Sequence, residues 1–390
     1  MILVYGATGT TGALVAGQLV DHGFEVVLSG RDQSRLARLA DQLRGLEIRP
    51  AQVHVAAELA AAVRGARVVI SCAGPFLLLG DPVLRAAIDA GAHYMDVSGE
   101  QAFLRDAYEQ HDSRARRAGV TAAPGFAWEV ALGDWAASRA AALVRAQVAD
   151  EREGPDAGID PGNGPAADDL DPDAPLDEIA VGYALSRVRT TPGTRQSLIA
   201  SLSRPASVWR EDRWESAAPL SRTRRMMFPP PFGSRDALLW PSGEVITVPR
   251  HIAARRVETF LALNEDLPGL GYAARLASLV GPLVSIAAAS PLGAFARARA
   301  GAAPPPGDEA RRGIEFALVA EAGLRFRRAR VALGGRDPYA LSARIIALGV
   351  ERLLSAGGAP PGVVAPSQLA DPEASLATLV GEGWLSLAEH

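Results

Sequence analysis

At 390 residues the chain is too long for one compact core, and 48% hydrophobic with 22% charged side chains is the composition of a soluble, globular, two-domain protein. Cys72 is the only cysteine, which excludes a disulfide framework and a Cys-rich metal site, and the net charge of −4 offers no broad basic face to nucleic acid. All 40 basic residues are arginine, so a Schiff-base lysine, a P-loop lysine and a Tyr-x-x-x-Lys catalytic pair are excluded as well.

The chain opens on an apolar strand, "MILVYG", which leaves no room for a signal peptide and makes a reducing cytoplasm the expected setting. A first helix is predicted over residues 11 to 22, then strand two, "FEVVLSG", and a helix through about Leu43. "QVHVA" reads as a weak strand three, "ARVVISCAGPF" as strand four, "AHYMDVSG" as strand five and "GVTAAPGF" as strand six, with a helix from about Ala102 to Ala118. This strand–helix alternation over residues 1–145 predicts a doubly wound parallel sheet of Rossmann type.

Residues 149 to 178 carry eleven acidic side chains, one arginine and five prolines, a charge of −10 against −4 for the whole chain. Such a segment resists packing and lacks the EF-hand spacing; an acidic flexible insertion over 149–176 is expected, and no metal site. From 177 to 337 the texture alternates: "EIAVGYAL", "SVWRED", "RWESA", "EVITVPRHI", "VETFLALN" and the hairpin "IEFALVAEAG"/"LRFRRARVALGG" predict a mostly antiparallel sheet in a second α+β domain for substrate and dimerisation. A helical insert interrupts it at about 266–300. Its uncharged run Leu276 to Phe295 contains Pro282, Pro291 and two glycines; it reads as a buried or homodimer-interface hairpin, with peripheral membrane or lipid contact as the other reading. Residues 338–390 are expected to be helices packing back on the first domain.

The strongest local signal is "GATGTTG". Gly6, Gly9 and Gly12 give a tight turn, close backbone approach to a pyrophosphate and close helix–sheet packing, while Ala7, Thr8, Thr10 and Thr11 bring backbone amides to the helix start. An NAD site usually has Asp or Glu at the end of strand two; here Ser29-Gly30-Arg31 stands there, and a guanidinium suits a 2′-phosphate, so NADPH/NADP is the expected cofactor. Asp32 follows one position too late. Ala73, Gly74, Pro75 and Phe76, at the end of strand four, are expected under the nicotinamide ribose, with Ser98 and Gly99 nearby.

"SCAGPFLLLGDPVLRAAIDAGAHYMDVSGE" (71–100) resembles the saccharopine dehydrogenase-like oxidoreductases, which carry GP-aromatic, G-x-P-V and H-Y-x-D-x-S-G-E in this order. "TPGTRQSL", "RRMMFPPPFGSRDALLWPSGEVITVPRH", "GRDPYALSA" and "PPGVVAPSQLADPEASL" extend the likeness towards the trans-acting enoyl reductase branch. The resemblance implies an NADPH-dependent reductase whose small-molecule or carrier-bound acyl substrate lies between the two domains. The chain departs from it at Gly125-Phe126-Ala127-Trp128-Glu129-Val130, where the family often has G-F-D-S-x-P-x-D.

Without lysine, the proton that follows a hydride must come from Tyr, His, an acid or water. Tyr94, Asp96, Ser98 and Glu100 lie around the C-terminal end of strand five, with Tyr94, Asp96 and Ser98 on one face, although Glu100 also reads as a helix cap. Tyr183 and the pair Arg250-His251 are substrate-side candidates. Reduction of the C=C bond of an enoyl thioester is the leading expectation. C=N reduction of saccharopine type, served by Arg187, Arg189 and Arg195, and a non-catalytic NADP-binding scaffold are the alternatives.

Overall fold

The computed structural model describes residues 1–153, 171–186, 190–262, 286–302 and 305–390. The core of the acidic insertion, Arg187 and Arg189, and most of the 276–295 run lie outside the described residues.

Seven parallel strands form the first sheet in the order β15-β6-β5-β4-β1-β2-β3. They are β1 (Ile2–Tyr5), β2 (Val26–Gly30), β3 (Glu47–Pro50), β4 (Val68–Ser71), β5 (His93–Asp96), β6 (Thr121–Ala123) and β15 (Gly362–Val363). The helices between them are α1 (Thr10–Asp21), α2 (Gln33–Gln42), α3 (Ala56–Val63), α4 (Phe76–Asp89) and α5 (Gln101–Ala118). Chain direction reverses its progress across the sheet between β1 and β4, the crevice where doubly wound folds take ligands.

Strand three is corrected by the structure. "QVHVA" is not a strand: Gln52 N–H donates to the Glu58 carboxylate (2.7 Å) and Val55 N–H to the Gln52 carbonyl (3.1 Å), closing a turn into α3. The edge strand is instead Glu47–Pro50, half exposed and therefore without an apolar signature.

Helix α6 (Trp128–Glu153) leads into the second sheet. Its nine strands run β10-β11-β12-β7-β13-β14-β16, with β8 and β9 as a hairpin on β12. They are β7 (Glu178–Leu185), β8 (Ala206–Arg210), β9 (Arg213–Ala217), β10 (Thr223–Met227), β11 (Ser234–Leu239), β12 (Arg256–Ala262), β13 (Glu315–Leu324), β14 (Arg327–Arg336) and β16 (Leu385–Glu389). Only the β12–β7 pair is parallel; the sheet is mostly antiparallel as expected. Helix α7 (Pro192–Leu202) follows β7.

"EVITVPRHI" is a second correction. It forms a short helix, α8 (Glu244–Thr247), and a 3-10 turn, Val248–Arg250. Ile246 and Thr247 both donate to the Gly243 carbonyl, and Pro249 has no N–H for a ladder. All four residues of α8 are buried, so no polar face marks its period.

After α9 (Pro291–Ala302) and α10 (Asp308–Arg312) come α11 (Pro338–Leu354), α12 (Pro366–Leu369) and α13 (Pro372–Gly381). The C-terminal region is more than helices: α11 packs on α1, β15 extends the first sheet and β16 the second. Among the described residues no helix is long and apolar enough to cross a membrane.

Gly349 of α11 lies where a Cβ would meet the Phe126 ring (2.7 Å) and, closer still, the Met95 methyl. Gly349→Ala is therefore expected to lower the unfolding free energy by about 1–3 kcal/mol, measurable by urea titration.

Candidate active site

A cavity of about 990 Å³ runs from the Gly-rich turn, along the C-terminal ends of the first sheet, to the face of the second. Gly6, Thr8, Gly9, Thr10, Thr11, Gly30 and Arg31 line one end; Ala73, Gly74, Pro75, Phe76, Ser98 and Gly99 line the middle. Gly6 adopts φ +77°, and a Cβ there would press on the Ala73 amide at 2.9 Å. Gly12 lies behind the wall: a Cβ would strike the Gly6 carbonyl, so its absence lets α1 start hard against β1. No side chain caps α1, and its first residues, Thr10 and Thr11, line the cavity.

The far edge differs from expectation at one residue. Ser29 is fully buried and donates its hydroxyl to the Arg49 carbonyl (2.7 Å), which removes it as a phosphate donor. Asp32 caps α2, accepting from Arg35 N–H (3.0 Å), and Arg35 reaches back to the Thr8 carbonyl (2.9 Å). Arg31 and Arg35 thus both line this end of the cavity. Arg35 was not legible as a ligand because nothing in "RDQSRL" separates it from a solvated helix residue. An uncapped helix start, a turn with no room for side chains and two guanidinium groups fit a phosphorylated dinucleotide.

At the middle, Glu100 stands at the N-cap position of α5, but its side chain does not cap that helix. Its carboxylate accepts from the Phe76 and Leu77 amides (2.8 and 2.9 Å), the first of α4, and from the Ser197 hydroxyl of α7 (2.7 Å). Burial nonetheless raises it above the usual carboxylate range. Asp96 and Tyr94 are fully buried and do not line the cavity. Asp96 accepts from the Ser98 and Gly125 amides (2.9 and 2.8 Å), tying β5 to the loop after β6, and burial pushes its carboxyl to about 7. Tyr94, held well above its ordinary range by burial and then by Asp96, acts in the interior.

The substrate end is built by the second domain. Tyr183 lines it and donates to the Glu129 carbonyl (2.8 Å). The Glu129 carboxyl also lines it, 3.2 Å from where a Cβ of Gly99 would stand, and accepts from the Ser242 hydroxyl (3.0 Å). Burial raises Glu129, with Ser242 and Trp240 pulling the other way. Behind it sits Glu244, fully buried, neither oxygen hydrogen-bonded, and raised well above the usual range by burial and then by Glu129. A Cβ at Gly133 would lie 2.5 Å from the Tyr183 hydroxyl and closer still to a Glu244 oxygen, so Glu244 abuts the tyrosine. His251 does not reach the cavity. Its imidazole pairs with Asp134 (3.0 Å); burial alone would lower it, but the Asp134 charge raises it. Glu129 and Glu244 come from α6 and α8, distant in sequence, and only the departure at Gly125–Val130 flagged the region.

Residues 2–123 match the saccharopine dehydrogenase NADP binding domain family. A lipid droplet localized protein of Caenorhabditis elegans is 33% identical over 140 residues, 33% of this chain and 33% of that protein. A trans-acting enoyl reductase of Mycobacterium ulcerans is 31% identical over 133 residues, 32% of each. The chain thus matches about a third of the length of these relatives. The structure of saccharopine dehydrogenase (L-Glu forming) from Saccharomyces cerevisiae, 12% identical, superposes over 100% of this chain and 99% of that one with a TM-score of 0.59, a likeness of fold. Fold and turn together define a two-domain chain whose first domain is a Rossmann domain that binds NADP(H). Within that class, residues 2–123 carry the saccharopine dehydrogenase NADP binding domain.

Glu244 yields a pH test. Its native carboxyl keeps a proton that the unfolded chain releases above about pH 4.3, so it costs stability as pH rises. Glu244→Gln should therefore stabilise the protein by an amount that grows with pH above that point, at most about 1.4 kcal/mol per unit. Urea titrations from about pH 4 to about pH 8 measure it; a gap that does not change with pH would show that Glu244 is not held neutral.

Proposed function

We propose that the chain is an NADPH-dependent reductase of an activated carbon–carbon double bond, with an enoyl thioester or related lipid or polyketide intermediate as substrate. The observation that carries this reading is the unbroken cavity joining the dinucleotide turn to an end lined by Trp128, Tyr183, Trp240, Leu261 and the Glu129 carboxyl. Among the described residues no arginine lines that end, which favours an apolar acyl group over the dicarboxylate of the imine alternative. A relative named a trans-acting enoyl reductase and another named for lipid droplets are in keeping with an acyl substrate. We assign the protein to the cytoplasm and a homodimer on the sequence reading alone.

Reduced NADP supplies a hydride at its nicotinamide C4. The residues of this chain do the rest. The α1 amides and Arg31 with Arg35 anchor the phosphates at one end. Glu100 ties the start of α4 to Ser197 of α7 beside Gly74-Pro75. Glu129, whose carboxyl burial raises above the usual carboxylate range, donates its proton to the carbon beside the one reduced, and Tyr183 keeps its backbone in place.

Purified protein should oxidise NADPH with enoyl thioesters and not with cyclic imines; the reverse would select the imine reading, and binding without oxidation the scaffold. Glu129→Gln should lower kcat by roughly 10²–10⁴ with NADPH affinity retained. Arg31→Asp should weaken NADPH roughly tenfold or more while NADH changes little; equal loss of both would remove Arg31 from the 2′-phosphate.

A further inference from the structure

A second cavity, of about 480 Å³, opens where α5, the β8–β9 hairpin, the 3-10 turn and residues 360–364 meet. It shares no lining residue with the NADP cavity. Its centre is Arg250, whose guanidinium lies over the Tyr108 ring at 3.7 Å from the centroid and 5.7 Å from that of Trp214. Such stacking leaves the in-plane N–H groups free.

The hydrogen-bonding balance of the cavity is one-sided. Arg250 Nε is buried with no partner, and among the described residues no carboxylate stands within ion-pairing distance of this guanidinium. Tyr108 is 4% exposed, and its hydroxyl too has no partner. Asp112, the carboxylate on the wall, is already spent: it accepts from Arg116 Nε (2.8 Å) and Val363 N–H (2.9 Å). The indoles of Trp209 and Trp214 donate to the Ala254 and Val245 carbonyls (2.8 and 3.1 Å), so they show the cavity only carbon. Pro249, Pro360 and Pro361 complete an apolar wall. What remains are unspent donors, one of them cationic, beside flat apolar surfaces. Buried donors of this kind are normally paired, and here no protein acceptor is at hand.

We propose that this cavity is a second ligand site, which takes a small molecule carrying an anionic group on a flat ring. The anion pairs with Arg250 and the Tyr108 hydroxyl, and the ring packs against Trp209, Trp214 and the prolines. The site stands apart from the reductase reading and does not depend on it. It adjoins the turn whose other end carries Glu244 towards Tyr183, and Gln368 holds that turn at the Arg250 carbonyl (3.3 Å).

Calorimetric titration of the full chain with indole-3-acetate, with phenyl phosphate, and with acetate and inorganic phosphate as ringless controls tests this. One aryl anion per chain should bind, the carboxylate and phosphate arms showing which head the site prefers. Saturating NADP⁺ should leave that binding in place, and the ringless anions should bind more weakly. Arg250→Met, which keeps the stem over Tyr108, should weaken it roughly tenfold or more with NADP⁺ affinity unchanged. If Arg250→Met loses NADP⁺ binding through misfolding, Tyr108→Phe decides instead, since it removes one hydroxyl and no packing. Absence of aryl-anion binding, displacement by NADP⁺, or full affinity in the deciding variant overturns the proposal.

Discussion

The two domains are held in register by one shared core, and the site depends on it. A continuous apolar cluster runs from Ile2, Val4 and Val15 of the first sheet and helix, through Trp135 of α6, to Leu318 and Val331 of the second sheet. Trp135 meets Phe126 edge-on at 5.6 Å, and the buried alanines 131, 136, 137, 140 and 141 let the β13–β14 hairpin approach α6 closely. Sliding one sheet against the other would expose this surface to water, at a cost that grows with apolar area. The cavity walls, one from each domain, therefore keep a fixed separation. Gln101 reinforces the seam by exchanging amide hydrogen bonds with Ser207 and donating to the Ser242 carbonyl.

Within that frame, environment sorts chemically similar side chains into different states. Asp134 and Glu244 are both fully buried and near one another. Burial raises each, yet Asp134 has His251 and Ser367 as partners and is pulled down on balance, whereas Glu244 has none and goes up. Carboxyls pushed apart in this way divide into a charge and a proton reserve.

The dinucleotide half of the molecule was legible because its signals are local. Glycine spacing, an apolar strand and a helix start within a dozen residues report on one turn. "QVHVA" and "EVITVPRHI" misled for a common reason: alternation records which residues are buried, and burial in a tight turn or in a short all-buried helix imitates a strand. Strand β15, two residues long, and β16, with one buried residue in five, carry too little pattern to be found. The residues around Tyr183 were only partly visible, since Glu129, Ser242 and Glu244 meet through domain packing and no spacing rule links them. Ser29 shows the converse error, in which a residue of fitting chemistry and position was turned inward and spent on a neighbouring strand.

The same composition that removed the usual catalytic plans also makes the protein a poor target for alkylation. Its single thiol, Cys72, is kept protonated by burial and by Asp96, and the amino terminus is paired with Glu25 at 3.4 Å. With no lysine amines to add to an unsaturated thioester or an aldehyde, the chain offers few groups for conjugate addition or imine formation. An electrophile entering the long cavity meets guanidinium groups, hydroxyls, carboxyls, the His54 imidazole and the protonated Cys72 thiol. The polypeptide is in this sense chemically quiet towards the reactive carbon compounds that a reductase of activated double bonds would handle.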